Sequence, residues 1–264
     1  MKGYFGLRNC YTFRYMTAGT IPPEMGNMKA IETLIIHTNK YNGSLPSELS
    51  YLTNITAMYL FSNKFTGSVP PDFSRLKNLQ VFDISDNQIT GIIPDGIYNT
   101  SLTQFKFANN KIRGSLPDEA FGNLINLVDF NGNENMLTGS LPSSITRCSL
   151  LGSFYVQQNF LTGDCNAFDG PTFSRLQSID ISNNNLQGNF PNGIFSSPNL
   201  KFLYADNNCW SGLIDESICV SEGLEVLSLD AMNAGSFCRF SEFSISITSC
   251  KYWFSAIYIP SFPF

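Results

Sequence analysis

The sequence predicts a solenoid: an α/β-type chain, mostly β and irregular, wound as a right-handed superhelix with one parallel β-sheet along its concave face. Three observations carry that prediction. Nine glycines (Gly19, Gly43, Gly67, Gly91, Gly114, Gly139, Gly163, Gly188 and Gly212) recur at intervals of 24, 24, 24, 23, 25, 24, 25 and 24 residues. An asparagine stands four residues before eight of them, from Asn39 to Asn208. Ahead of each asparagine lies an apolar triplet of fixed spacing, as in Ile31, Leu34, Ile36, then Leu79, Phe82, Ile84, then Leu176, Ile179, Ile181. Self-similarity at a period of 20 to 30 residues marks units that bury their apolar side only by stacking on one another.

Each part of the unit has a physical reason. The second and third apolar residues are two apart, so both point to the same side of a short strand, into the core, and the residues beside them face outward. The asparagine amide is costly to bury unpaired, and a stacked ladder removes that cost by presenting the same backbone groups to it in every layer. The glycine suits a tight turn with positive φ. The apolar-Pro pair that follows (Leu45-Pro46, Val69-Pro70, Leu116-Pro117) suits an extended segment whose proline, lacking a donor, sits at a sheet edge. Eight steps between nine units at about 4.8 Å per layer give a spine of roughly 38 Å.

Composition excludes several function classes. With 14% charged and 43% hydrophobic residues the chain is built to bury a core and is not disordered. A net charge of −5 argues against gripping nucleic acid. Seven cysteines without a CxxC pair, and one histidine, His37, give no metal-ligand set. No phosphate-cradling glycine loop and no kinase signature are present, so neither a cofactor nor a catalytic role is expected. His37 lacks a Ser-Asp companion pattern for nucleophilic chemistry.

The ends are read as follows. Met1 to Thr20 carries Lys2, Arg8 and Arg14 with no uninterrupted apolar run of seven, and so does not read as a signal peptide. Tyr252 to Phe264 is aromatic and apolar, but it is 13 residues long and holds Pro260 and Pro263, short of the roughly 20 needed to span a bilayer. The expected organisation is a repeat array over residues 1–232, its first and last copies degenerate, and a cap or tail over 233–264.

The Gly-x-Ile/Leu-Pro endings, Gly19-Thr20-Ile21-Pro22, Gly43-Ser44-Leu45-Pro46 and Gly139-Ser140-Leu141-Pro142, resemble the plant-specific class of leucine-rich repeats over about residues 7 to 231. That class includes the ectodomains of receptor-like kinases and receptor-like proteins and the secreted polygalacturonase-inhibiting proteins, and similar arrays occur in diatoms and other protists. The resemblance implies an extracellular or cell-surface, non-catalytic recognition module, with sequons at Asn42, Asn54 and Asn99 as glycosylation sites. It also implies caps. This chain opens almost inside a degenerate first copy (Leu7, Cys10, Thr12, Tyr15, Thr17, Gly19), so a truncated amino-terminal cap is expected. Copy six has Cys165-Asn166 in place of Leu-Pro, copy eight has Ile214-Asp215, and copy nine has Met232 where asparagine belongs. Cys219 and Cys238 are candidates for a bridge in the closing cap in an oxidising compartment, with connectivity left open by the sequence.

The outward strand positions then line the concave face, where solenoids commonly bind. The central column runs Ile35, Tyr59, Asp83, Lys106, Asn131, Tyr155, Asp180, Tyr204, Ser228, and the next runs His37, Phe61, Ser85, Ala108, Asn133, Gln157, Ser182, Asp206, Asp230. Exposed aromatics dominate interface energetics, which makes Tyr59, Phe61, Tyr155 and Tyr204 the expected anchors. The acidic set Asp83, Asp86, Asp129, Glu134, Asp180, Asp206 and Asp230 on or beside the same face, with Lys106 in the column, favours a basic or hydroxyl-rich partner. The same residues also suit β-strands and a solvated face. The expected partner is a protein, peptide or glycan; the alternative is a surface protein that binds ice or a cell-wall polymer through a side or convex face rich in Thr and Ser.

Overall fold

The structure, a computed structural model, describes residues 8–11, 17–169, 173–214, 216–229, 243–245 and 257–258. Eleven short strands form one parallel sheet in strict chain order. Nine of them, Thr33–Ile35, Ala57–Tyr59, Val81–Asp83, Gln104–Lys106, Asp129–Asn131, Ser153–Tyr155, Ser178–Asp180, Phe202–Tyr204 and Val226–Ser228, lie between the outer strands Asn9–Tyr11 and Ile257–Tyr258. The middle residue of each of these nine strands is buried and its neighbours are half-buried or better, as period-two alternation requires.

The apolar positions close the core as expected, and aromatics dominate its middle layers. Phe82, Phe105, Phe130 and Phe154 occupy the same repeat position in four successive layers, with ring centroids 6.0, 5.8 and 5.2 Å apart. Each is fully buried, which is worth about 2–3 kcal/mol apiece before ring-ring contacts add to it. Volume is balanced between layers. Phe107 overfills its position, and Gly132, the equivalent residue one layer on, leaves the room: a Cβ there would lie 2.6 Å from the Phe107 ring. Trp210 likewise fills the space above Ala205 and donates its indole N–H to the Ala205 carbonyl at 2.8 Å.

The asparagine ladder forms throughout. Asn184 donates its amide to the carbonyls of Val156, Ile181 and Ser182 at 3.0, 3.2 and 3.0 Å, while its oxygen accepts the Leu161 N–H at 3.0 Å. Asn63, Asn87, Asn110, Asn135, Asn159 and Asn208 repeat this pattern. All nine turn glycines have positive φ.

Two expectations need correction. The repeat makes more than one sheet: the residues after each asparagine pair with the next layer to form a second, flank sheet in three pieces, which the single-sheet reading lacked. The gaps between the pieces are crossed by backbone bonds, Gln88 N–H to Phe65 O and Asn185 N–H to Leu161 O, both 2.8 Å. The prolines, moreover, do not mark a sheet edge. Pro46, Pro70, Pro94 and Pro142 are extended residues that cap 3-10 helices, Ser47–Tyr51, Pro71–Arg75, Asp95–Asn99 and Ser143–Arg147. A fixed φ and a missing donor suit the first turn of a helix as well as an edge.

Beyond Ser228, strand Phe243–Ile245 pairs with Cys209–Ile214 in the flank sheet, and Ile257–Tyr258 pairs with Val226–Ser228 in the long sheet. Both sheets therefore gain a layer from the segment expected to be a cap or tail. Cys209 and Cys219 each take part in a disulfide, and Cys238, the candidate partner of Cys219, lies outside the described residues. Cys148 and Cys165 are free and buried, and burial raises both thiols, Cys148 to about 11.

Candidate functional site

The register of the long sheet brings the expected central column together. Ile35 pairs with Tyr59, Tyr59 with Asp83, Asp83 with Lys106, Lys106 with Asn131, and the row continues through Tyr155, Asp180 and Tyr204 to Ser228. These side chains are half-buried and stand on the face away from the core. At about 4.8 Å per layer, Tyr59 and Tyr204 lie roughly 29 Å apart.

The column has three parts. At the N-terminal end His37 and Phe61 stack face to face, ring centroids 4.2 Å apart and planes within 6°, beside Tyr59. His37 Nδ1 also lies 2.9 Å from the Thr38 hydroxyl. In the middle Lys106 forms an ion pair with Asp129, and the Ser153 hydroxyl donates to the same carboxylate at 2.6 Å. Two of the candidate residues thus satisfy each other. Toward the C-terminal end Tyr155 and Tyr204 flank Asp180, with Asp206 in the adjacent column. Asp230 lies outside the described residues.

The carboxylates are held by local bonds. Asp83 accepts the Ser85 N–H at 3.0 Å, and Asp180 accepts both the Ser182 N–H at 3.0 Å and its hydroxyl at 2.7 Å. Asp206 accepts the Ser228 hydroxyl at 2.9 Å. Burial pushes the carboxyls of Asp83 and Asp180 above their ordinary range despite the opposing serine bonds; Lys106 pulls Asp83 back, and the charge of Asp206 pushes Asp180 further up. Among the described residues no ion pair reaches Asp83, Asp180 or Asp206. A cation laid along this face would offset charge that the fold leaves uncompensated.

Sequence reasoning missed the serines that orient these acids. The signal was present as Asp83-Ile84-Ser85 and Asp180-Ile181-Ser182, since an Asp or Asn side chain readily accepts the N–H two residues on. Asn131-Gly132-Asn133 follows the same rule, with the Asn133 N–H 3.2 Å from the Asn131 oxygen.

Asn42, Asn54 and Asn99 are all exposed. Asn42 is on a flank strand, Asn54 donates to the Lys29 carbonyl at 3.0 Å, and Asn99 accepts from Asn123 at 2.8 Å. Among the described residues no helix is long and apolar enough to cross a membrane.

This architecture has known counterparts. The Leucine Rich Repeat family pattern matches residues 54–76, 78–100 and 175–197. The chain is 30% identical over 112 residues to Receptor-like protein 7 of Arabidopsis thaliana, covering 42% of this chain and 11% of that one. Among solved structures, a plant peptide hormone receptor, RGFR1 in complex with RGF2, matches with a TM-score of 0.79 at 28% identity, over 86% of this chain and 38% of the receptor. The ectodomain of the Arabidopsis thaliana receptor kinase GASSHO1/SCHENGEN3, in complex with CASPARIAN STRIP INTEGRITY FACTOR 2, matches at 0.77 and 26% identity, over 86% and 29%. A plant ice-binding protein matches at 0.74 and 26% identity, over 88% of this chain and 70% of that one. The chain spans well under half the length of the receptors it matches. Repeat pattern, two-sheet architecture and these likenesses agree: the chain has a leucine-rich-repeat solenoid fold like that of these plant receptor ectodomains.

Proposed function

We propose that the chain is a non-catalytic recognition module that holds a protein, peptide or glycan on the exposed face of the long sheet, in an extracellular or cell-surface setting. The observation that carries this reading is the in-register column from Tyr59 to Tyr204, where three half-buried tyrosines share a row with two carboxylates, Asp83 and Asp180, that have no ion pair among the described residues. Tyr59, Phe61, Tyr155 and Tyr204 are the anchors, their rings supplying contact area at low entropic cost. Asp83, Asp180 and Asp206 select basic or hydroxyl-rich groups, and the Lys106–Asp129 pair fixes the centre. The peptide hormone receptor of similar fold, RGFR1 in complex with RGF2, supports the peptide alternative. Asn42, Asn54 and Asn99 are the proposed glycosylation sites. The test is retention of extracellular peptides and glycans by the purified chain, compared with Tyr155→Asp and Tyr204→Asp. Loss of retention by about tenfold or more is expected, and unchanged retention would refute the face assignment.

A second reading has its own observation. The flank sheet presents Thr66, Thr90, Thr138, Ser44, Ser68, Ser115 and Ser140 outward at recurring positions, and a plant ice-binding protein shares the fold. On that reading the chain is a surface protein that engages ice or a wall polymer through this side face.

A further inference from the structure

The two sheets carry opposite charge. On the long sheet acids outnumber bases, whereas the flank segments 40–44, 64–68, 88–92, 111–115 and 136–140 contain no Asp or Glu and hold Lys40, Lys64, Lys111 and Arg113; the sixth segment, 160–164, closes the row with Asp164. All four cations are exposed, and the ion pairs among the described residues include none of them. In a chain of net charge −5, such unbalanced like charge on one face creates a field that favours an anionic partner.

Strand pairing, with backbone bonds from Gln88 to Phe65 and from Thr90 to Gly67 across the gap between two pieces, makes these residues one strip. Asn42 pairs with Lys64, Ser44 with Thr66, Thr90 with Lys111, Arg113 with Met136 and Thr138 with Phe160. Hydroxyls thus interleave with cations, and the strip ends on two exposed apolar side chains, Met136 at 48% and Phe160 at 53%. Six layers, separated by five steps of about 4.8 Å, give it a length of roughly 24 Å.

We propose that the flank face binds an acidic polysaccharide, a polymer of uronic acids, laid along the strip from Lys40 to Phe160. This rests on the side-face reading above and chooses within it. Lysines are compact, strongly hydrated point charges, which match single carboxylates and disrupt an ordered water plane. The Thr and Ser hydroxyls pair with sugar hydroxyls, and the Phe160 ring offers an apolar platform for a sugar face. Nucleic acid, the other common polyanion, carries about one charge per 1.7 Å of axis, far denser than four cations along this strip can neutralise. Asn42 opens on the same strip, so a glycan there would stand over Lys64.

The experiment is affinity electrophoresis of Asn42→Gln protein through gels containing sodium alginate, dextran or dextran sulfate. Retardation by alginate is expected, with none by dextran. It should weaken at least tenfold in 0.3 M salt (on the order expected for counterion release) and at least tenfold in Lys64→Glu/Lys111→Glu, whose thermal midpoint is checked against the parent. Tyr155→Asp should be retarded by alginate, relative to a polymer-free gel, as much as the parent is. Equal retardation by dextran, an unaffected double variant, or retention by dextran sulfate alone would overturn the proposal. Inhibition of ice recrystallisation that survives Lys64→Glu/Lys111→Glu but is lost in Thr66→Val/Thr90→Val would give the face to ice instead. Absence of both alginate and ice binding would remove the side-face reading altogether, leaving the long-sheet function to stand on its own test.

Discussion

The long sheet and the flank sheet are cut from the same repeat, yet they obey different rules. In the long sheet each residue pairs with its counterpart one full repeat on, Tyr59 with Asp83 and Asn131 with Tyr155. In the flank sheet the partner falls two positions short, Asn42 with Lys64 and Arg113 with Met136. A glycine in the left-handed region interrupts each flank segment. At Gly91, with φ of +80°, an added Cβ would also lie 3.0 Å from the Ser68 Cβ of the preceding layer. The flank is therefore constrained by backbone geometry and keeps a Thr-Gly-Ser character. The long sheet needs only its inward residues to be apolar, so its outward positions vary freely among Tyr, Asp, Lys and Asn. That freedom is what makes the long sheet suited to selective recognition and the flank suited to a repetitive partner.

The comparison can be broken most forcefully at the shared core. Phe130→Ala empties a position between Phe105 and Phe154, and a loss of about 4 kcal/mol is expected by chemical denaturation. Asparagine is the tie between the sheets, since its amide serves carbonyls leaving the long strands and its oxygen serves a flank N–H. Asn184→Ala should cost about 3 kcal/mol by leaving buried backbone groups unsatisfied, with amide exchange quickening on both sides of the tie. Gly91→Ala acts on the flank alone: left-handed strain plus the Ser68 contact should cost about 2 kcal/mol, while exchange in the long sheet stays slow.

The smallest effect sharpens the charge contrast. Because burial raises the Asp180 carboxyl in the folded chain, the protonated form is favoured by folding, and this group's contribution is most favourable at low pH and declines as pH rises through its raised value. Asp180→Asn keeps an oxygen for Ser182 and removes the buried charge. Its thermal midpoint at pH 7 should sit about 1–2 °C above the parent, and the gap should close toward pH 4. A midpoint below the parent at pH 7 would contradict the desolvation argument.

The long sheet was legible because its information is local. Apolar residues two apart, an asparagine and a glycine lie within one unit, and repetition averages out the degenerate copies. The column of candidate residues followed from the same pattern, and its register is as expected. What was hidden is supplied by neighbours. The flank strands hold a glycine, which weakens any local strand signal, and they form only because the next layer offers bonds. The residue before each asparagine has positive φ at Thr38, Ser62, Glu134 and Gln158 as well as at Asp86, Asn109, Asn183 and Asn207. The first four types seldom adopt that conformation, so the bonded ladder imposes it where the sequence gives no sign. The Lys106–Asp129–Ser153 cluster was hidden for the same reason, being made across three layers.

The central claim is that one repeat builds two separate working surfaces, with selective recognition on the long sheet. Hydrogen exchange of the chain with a retained peptide present or absent tests it most directly. The account predicts slowed exchange at residues 153–157 and 202–206 and no change at 64–68 and 111–115. Protection confined to the flank segments, with the long sheet untouched, would contradict it.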